Sequence, residues 1–290
     1  PPIVRATALG HLAAYPNPAG VRLASASLSD PDPLVRFGAL EAMAPLPVSM
    51  KQDQLSGLLD DPTLSVRTEA GRQLAAVPSA SLSPEQREML RSTLAEYVEI
   101  QKGNADRPES RLNLALLYAA AGQAETAEQQ LRAAIQLHPD FEAAYVNLAD
   151  LYRAQREEAR AEAVLQEGLA VRPESASIHH ATGLLLVRTE GGEAALPSLE
   201  RAATLAPGNT RYRYVWAVAL HDYGSLEQAV AVLEKAHADR PADGDVLYAL
   251  ALYSGEAGDL GSAVGYAEKL QALQPDNPQA AALVEELKSR

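Results

Sequence analysis

Alanine or glycine returns every 34 residues in two columns, Ala115, Ala149, Gly183, Ala217, Ala251 and Ala127, Ala161, Ala195, Ala229, Ala263. Proline keeps the same spacing at Pro139, Pro173, Pro207, Pro241 and Pro275. Small residues stand where two antiparallel helices come closest, and proline stands where the second helix must stop. The columns therefore predict helical hairpins over 108–141, 142–175, 176–209, 210–243 and 244–277, then an amphipathic helix over 278–290. A bulky column (Leu114, Leu148, Thr182, Trp216, Leu250) precedes the first small one, so the single tryptophan is expected in the core.

A second period governs the amino-terminal part. IVRATALGHLA from Ile3, LVRFGALEAMA from Leu34 and SVRTEAGRQLA from Ser65 align at a spacing of 31. The alignment stacks Val4, Val35 and Val66, then Arg5, Arg36 and Arg67, then Ala8, Ala39 and Ala70, then Leu12, Met43 and Leu74. Apolar residues recur three or four apart, the spacing of one helix face. Asp30-Pro31 and Asp61-Pro62 mark turns, and Asp32-Pro33 reads as a helix cap followed by proline in the first turn. Between the two periods, residues 83–102 predict one longer connecting helix within 80–107, with Ser83 and Gln86 placed for a capping box.

The 34-residue columns resemble the tetratricopeptide repeat, and residues 1–79 resemble HEAT-like repeats. The fold class implied is all-α: a right-handed α-solenoid with HEAT-like repeats followed by a tetratricopeptide superhelix. In HEAT-like stacks the recurring arginine meets a turn aspartate of a neighbouring repeat, which here implies Arg36 or Arg67 against Asp30 or Asp61. Pro2 aligns with Pro33, so the chain is expected to open on the second helix of a repeat, with the natural protein continuing upstream. The tetratricopeptide turn glycine stands at Gly122, Gly224 and Gly258, whereas Arg156 and Glu190 replace it in the second and third units. Gly191-Gly192 follows in the third, and Pro197 is expected to delay or kink that unit's second helix, making it the least regular of the five.

The same resemblance places residues two, five, nine, twelve and thirteen of each unit in a concave groove. That set includes Asp150, Arg153, His180, Arg188, Arg211, Tyr214, His221 and Tyr248, with Asn113 and Asn147 beside it one period apart. Tyr212 and Tyr223 fall at edges or in packing. A side-chain amide both donates and accepts, so paired asparagines suit the backbone of an extended peptide. The arginines favour an acidic segment, although Asp150 and Asp222 dilute that field. Leu112 and Leu116 occupy the places where some relatives carry a lysine and asparagine clamp for terminal carboxylates.

Charge narrows the partners. Residues 1–79 carry six Lys/Arg against seven Asp/Glu, and the remainder 19 against 31. An acidic surface disfavours nucleic acid and anionic lipid, and no apolar run approaches the roughly 20 residues of a membrane span. With no cysteine in the chain, thiolate catalysis, cysteine metal sites and CxxCH haem attachment are excluded within it. Nucleotide-binding, HExxH and GxSxG motifs are missing as well.

Three functions remain open. One is a non-catalytic scaffold, without cofactor or metal, that binds a protein or peptide segment in the groove. Another follows from VNLADLYRAQ (146–155) and IHHATGLLLVR (178–188), which look like the carboxyl-terminal region of bacterial multihaem c-type cytochromes. That resemblance implies an accessory module of a periplasmic redox protein with its haem domain upstream. The third is a structural module for homo-oligomerisation.

Overall fold

Proline-led starts and short polar caps set the helix boundaries from the first turn onward. The computed structural model describes residues 1–13 and 17–290. Its opening helices are α1 (Pro2–Leu12), α2 (Pro18–Ser27), α3 (Pro33–Met43), α4 (Val48–Ser56) and α5 (Leu64–Leu74). The Asp32 carboxylate accepts the Leu34 amide at 2.9 Å, with Pro33 as the first helical residue. After a 3-10 turn (Ser79–Ser81) comes α6 (Pro84–Gly103). Here the Ser83 hydroxyl accepts the Gln86 amide at 3.1 Å, and the Gln86 side chain accepts the Ser83 amide at 2.9 Å, closing the expected capping box. The hairpin of α7 (Pro108–Ala120) and α8 (Ala124–Leu137) ends the first compact unit, Pro1–Leu137. The division thus falls one hairpin after the change of period, because α7 packs on α6.

The 31-residue columns are buried at Val35, Ala39, Met43 and again at Val66, Ala70, Leu74. The first copy differs, for Val4 is 61% exposed. A Cβ built on Gly38 would lie 2.6 Å from the Ala6 carbonyl oxygen, so α1 lies backbone-close on α3. The matching side of α1, with Ile3, Val4 and Ala8, instead lines an open apolar hollow.

Arginines lock these repeats in sequence. Arg36 makes two parallel bonds to the Asp61 carboxylate, Nε to Oδ2 at 2.8 Å and Nη2 to Oδ1 at 2.9 Å. Its Nη1 donates to the Asp30 carbonyl at 2.9 Å. Arg5 pairs with Asp30 one repeat earlier. Arg67 uses Nη1 on the Asp61 carbonyl at 3.2 Å, but its forked partner is Glu96 of α6. The expected pairing thus settles on Arg36–Asp61, with Arg5 and Arg36 each reaching 25 residues ahead to the next turn. Burial acts to raise the Asp61 carboxyl, but the Arg36 guanidinium and the Thr63 amide outweigh it and hold it below its ordinary value. A buried lysine on α4 ties the end of α3 to α5. Lys51 donates to the Met43 and Ala44 carbonyls at the end of α3 and to Gln73 Oε1.

The second unit, His138–Arg290, contains α9 (Glu142–Ala154), α10 (Glu158–Val171), α11 (Ala176–Thr189), α12 (Gly192–Leu205), α13 (Thr210–Tyr223), α14 (Leu226–Asp239), α15 (Gly244–Glu256), α16 (Leu260–Leu273) and α17 (Pro278–Ser289). First helices begin at 108, 142, 176, 210 and 244 and second helices at 124, 158, 192, 226 and 260, all in steps of 34. The helix α17 starts one further step on, at 278. Ala161, Ala195, Ala217, Ala229, Ala251 and Ala263 are buried. At Gly183 a Cβ would stand 2.4 Å from Leu199 Cδ2, so only hydrogen fits between α11 and α12. Among the described residues there is no strand, and no helix is long and apolar enough to cross a membrane.

Two expectations need correction. In the third unit, α12 starts in register and runs through Pro197, so it is not delayed. Pro197 and Glu193 are both exposed, which leaves the carbonyl that proline cannot pair facing water. The turn adapts instead, with Gly191 taking φ of 94°. In the fourth, Trp216 is half-buried rather than enclosed, packed where Ala195, Leu199 and Ala219 meet the cluster around Ala217 and Leu250.

Replacing Arg36 by alanine should cost about 1.5–3 kcal/mol at pH 7, the range for part-buried hydrogen bonds to a charged group. Because Asp61 titrates below its unfolded value in the folded chain, this contribution is complete at neutral pH. It should fade once the pH falls below the ordinary value of 3.8, so urea melts of parent and variant should converge in acid. Arg156 adopts φ of 64° in the turn where other units place glycine. The change Arg156→Gly should therefore stabilise the chain by about 0.5–1 kcal/mol, read as a higher urea midpoint with unchanged slope.

Candidate ligand-binding site

The first helices of the second unit carry the polar residues, and two of them enclose a cleft. Its volume is about 260 Å³. Val146 and Ala149 of α9, Leu165 of α10 and Leu184 and Leu185 of α11 make its apolar lining. Asp150 and Arg153 of α9, His180 and Arg188 of α11 and Tyr212 of α13 supply its polar edge. Helical spacing explains the gathering: Asp150 and Arg153 are three apart on one helix, and His180, Leu184 and Arg188 follow each other at four.

The polar groups are only loosely held. Arg153 Nε lies 3.1 Å from Asp150 Oδ1, an exposed pair on one helix. Arg188 Nη1 donates to its own helix at the Leu184 carbonyl, 2.9 Å away. Its Nη2 forms a long ion pair with Glu158 Oε2 at 3.7 Å, beyond hydrogen-bond reach, and that oxygen is buried without a hydrogen bond. The His180 ring lies 4.4 Å from the Tyr212 ring, and its Nδ1 is buried and unpaired. Burial, helped by the charge of Arg211, pushes His180 down to about 4, so the ring is neutral at pH 7. The positive charge at the edge is therefore carried by guanidinium groups.

The other expected groove residues lie apart from this cleft. Asn147 borders a neighbouring open hollow that shares Val146 and Ser177 with it, and its amide donates to the Ala143 carbonyl of its own helix at 2.8 Å. Asn113 belongs to the first unit and donates to Gln101 Oε1 at 3.3 Å. Arg211 and Tyr214 sit on α13, and Tyr248, 44% exposed, on α15. Burial first, and then Asp245, raise the Tyr214 hydroxyl.

His221 joins two first helices. Its Nδ1 lies 2.6 Å from Asp222 and its Nε2 2.8 Å from Glu256, while the ring stacks on Tyr253 with centroids 4.1 Å apart. Partial burial pulls it toward neutrality, but the bonds to both carboxylates outweigh that and raise its pKa. Tyr212 is the residue that register reasoning placed at an edge and the structure places on the cleft. A usable signal was present, because His180–Tyr212 and His221–Tyr253 share a spacing of 32.

Models of the tetratricopeptide repeat match residues 118–185 and 180–244, so this stretch carries tetratricopeptide repeats. No curated protein matches the chain. Among solved structures, YrrB, described as a TPR protein with an unusual peptide-binding site, is 21% identical. The alignment covers 67% of this chain and 98% of YrrB, with a TM-score of 0.49. MamA from Desulfovibrio magneticus RS-1 is 19% identical over 59% of this chain and 97% of its own, with a TM-score of 0.49. A MamA structure from AMB-1 is 23% identical over 61% and 97%, with a TM-score of 0.47.

Proposed function

We propose that residues 138–290 form a non-catalytic scaffold that binds a peptide or a partner's segment, with the α9–α11 cleft as the anchor point. The observation that carries this is an open apolar cleft edged by loosely engaged polar groups, built on helices whose positions the 34-residue packing fixes. Such a surface offers burial for one side chain and orientation by a few hydrogen bonds, the usual make-up of a recognition site. A HEAT-like reading of residues 1–79 draws support from the arginine ladder, in which Arg5 and Arg36 reach Asp30 and Asp61. The redox-accessory alternative rests on sequence resemblance alone. Its two segments, 146–155 and 178–188, lie within α9, α11 and the turn after α9, so under that reading the same cleft would be the docking face.

Selection of a displayed random peptide library against the chain should enrich binders that share an apolar residue. Leu184 is 38% exposed, so Leu184→Asp should fold normally by circular dichroism. It should weaken the selected peptides by at least about tenfold, since setting a carboxylate against the peptide's apolar side chain costs about 1.4 kcal/mol or more. Failure to enrich any peptide, or equal binding by Leu184→Asp, would refute the assignment.

A further inference from the structure

The second unit carries 13 Lys/Arg against 23 Asp/Glu, yet the charged residues lining the cleft are Arg153, Arg188 and Asp150. A positive edge in so acidic a unit narrows what the site can hold. Among the described residues, Arg153 makes one side-chain bond, through Nε, which leaves its terminal nitrogens available. Arg188 Nη2 makes only a long ion pair, 3.7 Å from Glu158 Oε2, which leaves it able to take a closer acceptor. Guanidinium groups favour carboxylates, which they meet with forked, charge-assisted bonds. The cleft volume of about 260 Å³ suits one branched or aromatic side chain, and its apolar lining gives that side chain somewhere to bury. Neutral His180 adds no charge of its own, and its ring packs against Tyr212.

We infer that this cleft recognises an apolar side chain flanked by side-chain carboxylates, so that the partner is an acidic segment with an internal apolar anchor. The inference rests on the peptide-binding reading above and names its ligand. An acidic peptide meets repulsion from the chain as a whole, but at physiological salt that field is screened beyond about 8 Å. The local arginines then decide.

The test uses fluorescein-labelled peptides with both ends blocked, so that no terminal carboxylate is present. Each carries a central Glu-Leu-Glu, Lys-Leu-Lys or Glu-Ser-Glu in a Gly-Ser background, and binding to the full chain is read by fluorescence polarisation at 150 mM salt. Glu-Leu-Glu should bind, with the other two at least about tenfold weaker, because each loses one charge-assisted bond or one buried side chain. Arg153→Gln and Arg188→Gln should each reduce the preference for Glu-Leu-Glu over Lys-Leu-Lys about tenfold while leaving thermal stability unchanged. Equal binding of the Glu and Lys peptides, or an unaltered preference in both variants, overturns the inference. So does binding that appears only when the carboxyl terminus is unblocked. If library-selected peptides bind and lose affinity with Leu184→Asp while Glu-Leu-Glu fails, the acidic ligand is wrong and the scaffold stands. If none binds, the scaffold itself falls.

Discussion

Contact between helices at positions that tolerate almost no side chain organises the second unit. Where Gly183 meets Leu199 a single methyl group would collide, and the alanines in the same columns of the other hairpins are buried. Close approach brings helix axes toward the short end of the 8–10 Å range and leaves little freedom to slide. Register then follows from sterics more than from polar bonding. Because register is fixed, side chains four apart on α11 and three apart on α9 converge on one cleft, which no single helix could build.

The cleft holds polar groups that its own fold leaves unsatisfied. A buried imidazole nitrogen, His180 Nδ1, and a buried carboxylate oxygen, Glu158 Oε2, stand without hydrogen bonds. Unpaired buried polar atoms generally cost about 1–3 kcal/mol each; among the described residues His237 Nδ1 on α14 is another in this unit, whereas several helix starts are satisfied by caps. Asn209, Asp243, Asp259 and Asn277, for example, each accept a backbone amide at a helix start. Two of these unpaired atoms, His180 Nδ1 in the cleft lining and Glu158 Oε2 beside Arg188, lie at or next to the cleft, the pattern expected where recognition takes precedence over stability.

Much of the fold could be read directly from residue spacing. Columns of alanine, glycine and proline located the helix starts because they record steric limits, which sequence states plainly. Helix caps at Asp32 and Ser83 were equally readable, being local hydrogen bonds between residues two or three apart. What escaped was set by contacts between different repeats. Tyr212 reaches the cleft because the next first helix leans over His180, a relation that a single repeat does not contain. Arg67 chose Glu96 because the helix that follows, α6, lies outside the 31-residue period and offers no turn aspartate. The burial of Lys51 was invisible too, since its acceptors are mostly backbone carbonyls, which no side-chain pattern reports. Pro197 misled in the other direction: its chemistry is disruptive, but its position on a solvent face removed the penalty.

The arginine ladder also bears on how the first unit comes apart. Arg36 grips the turn of its own repeat through the Asp30 carbonyl and the turn of the next through Asp61. Arg67 does the same one step later with the Asp61 carbonyl and Glu96. Each guanidinium is thus a rivet through two plates, and opening one repeat strips a neighbour of its fastening. Linear arrays normally fray from an end, whereas plates riveted in this way resist peeling and release together.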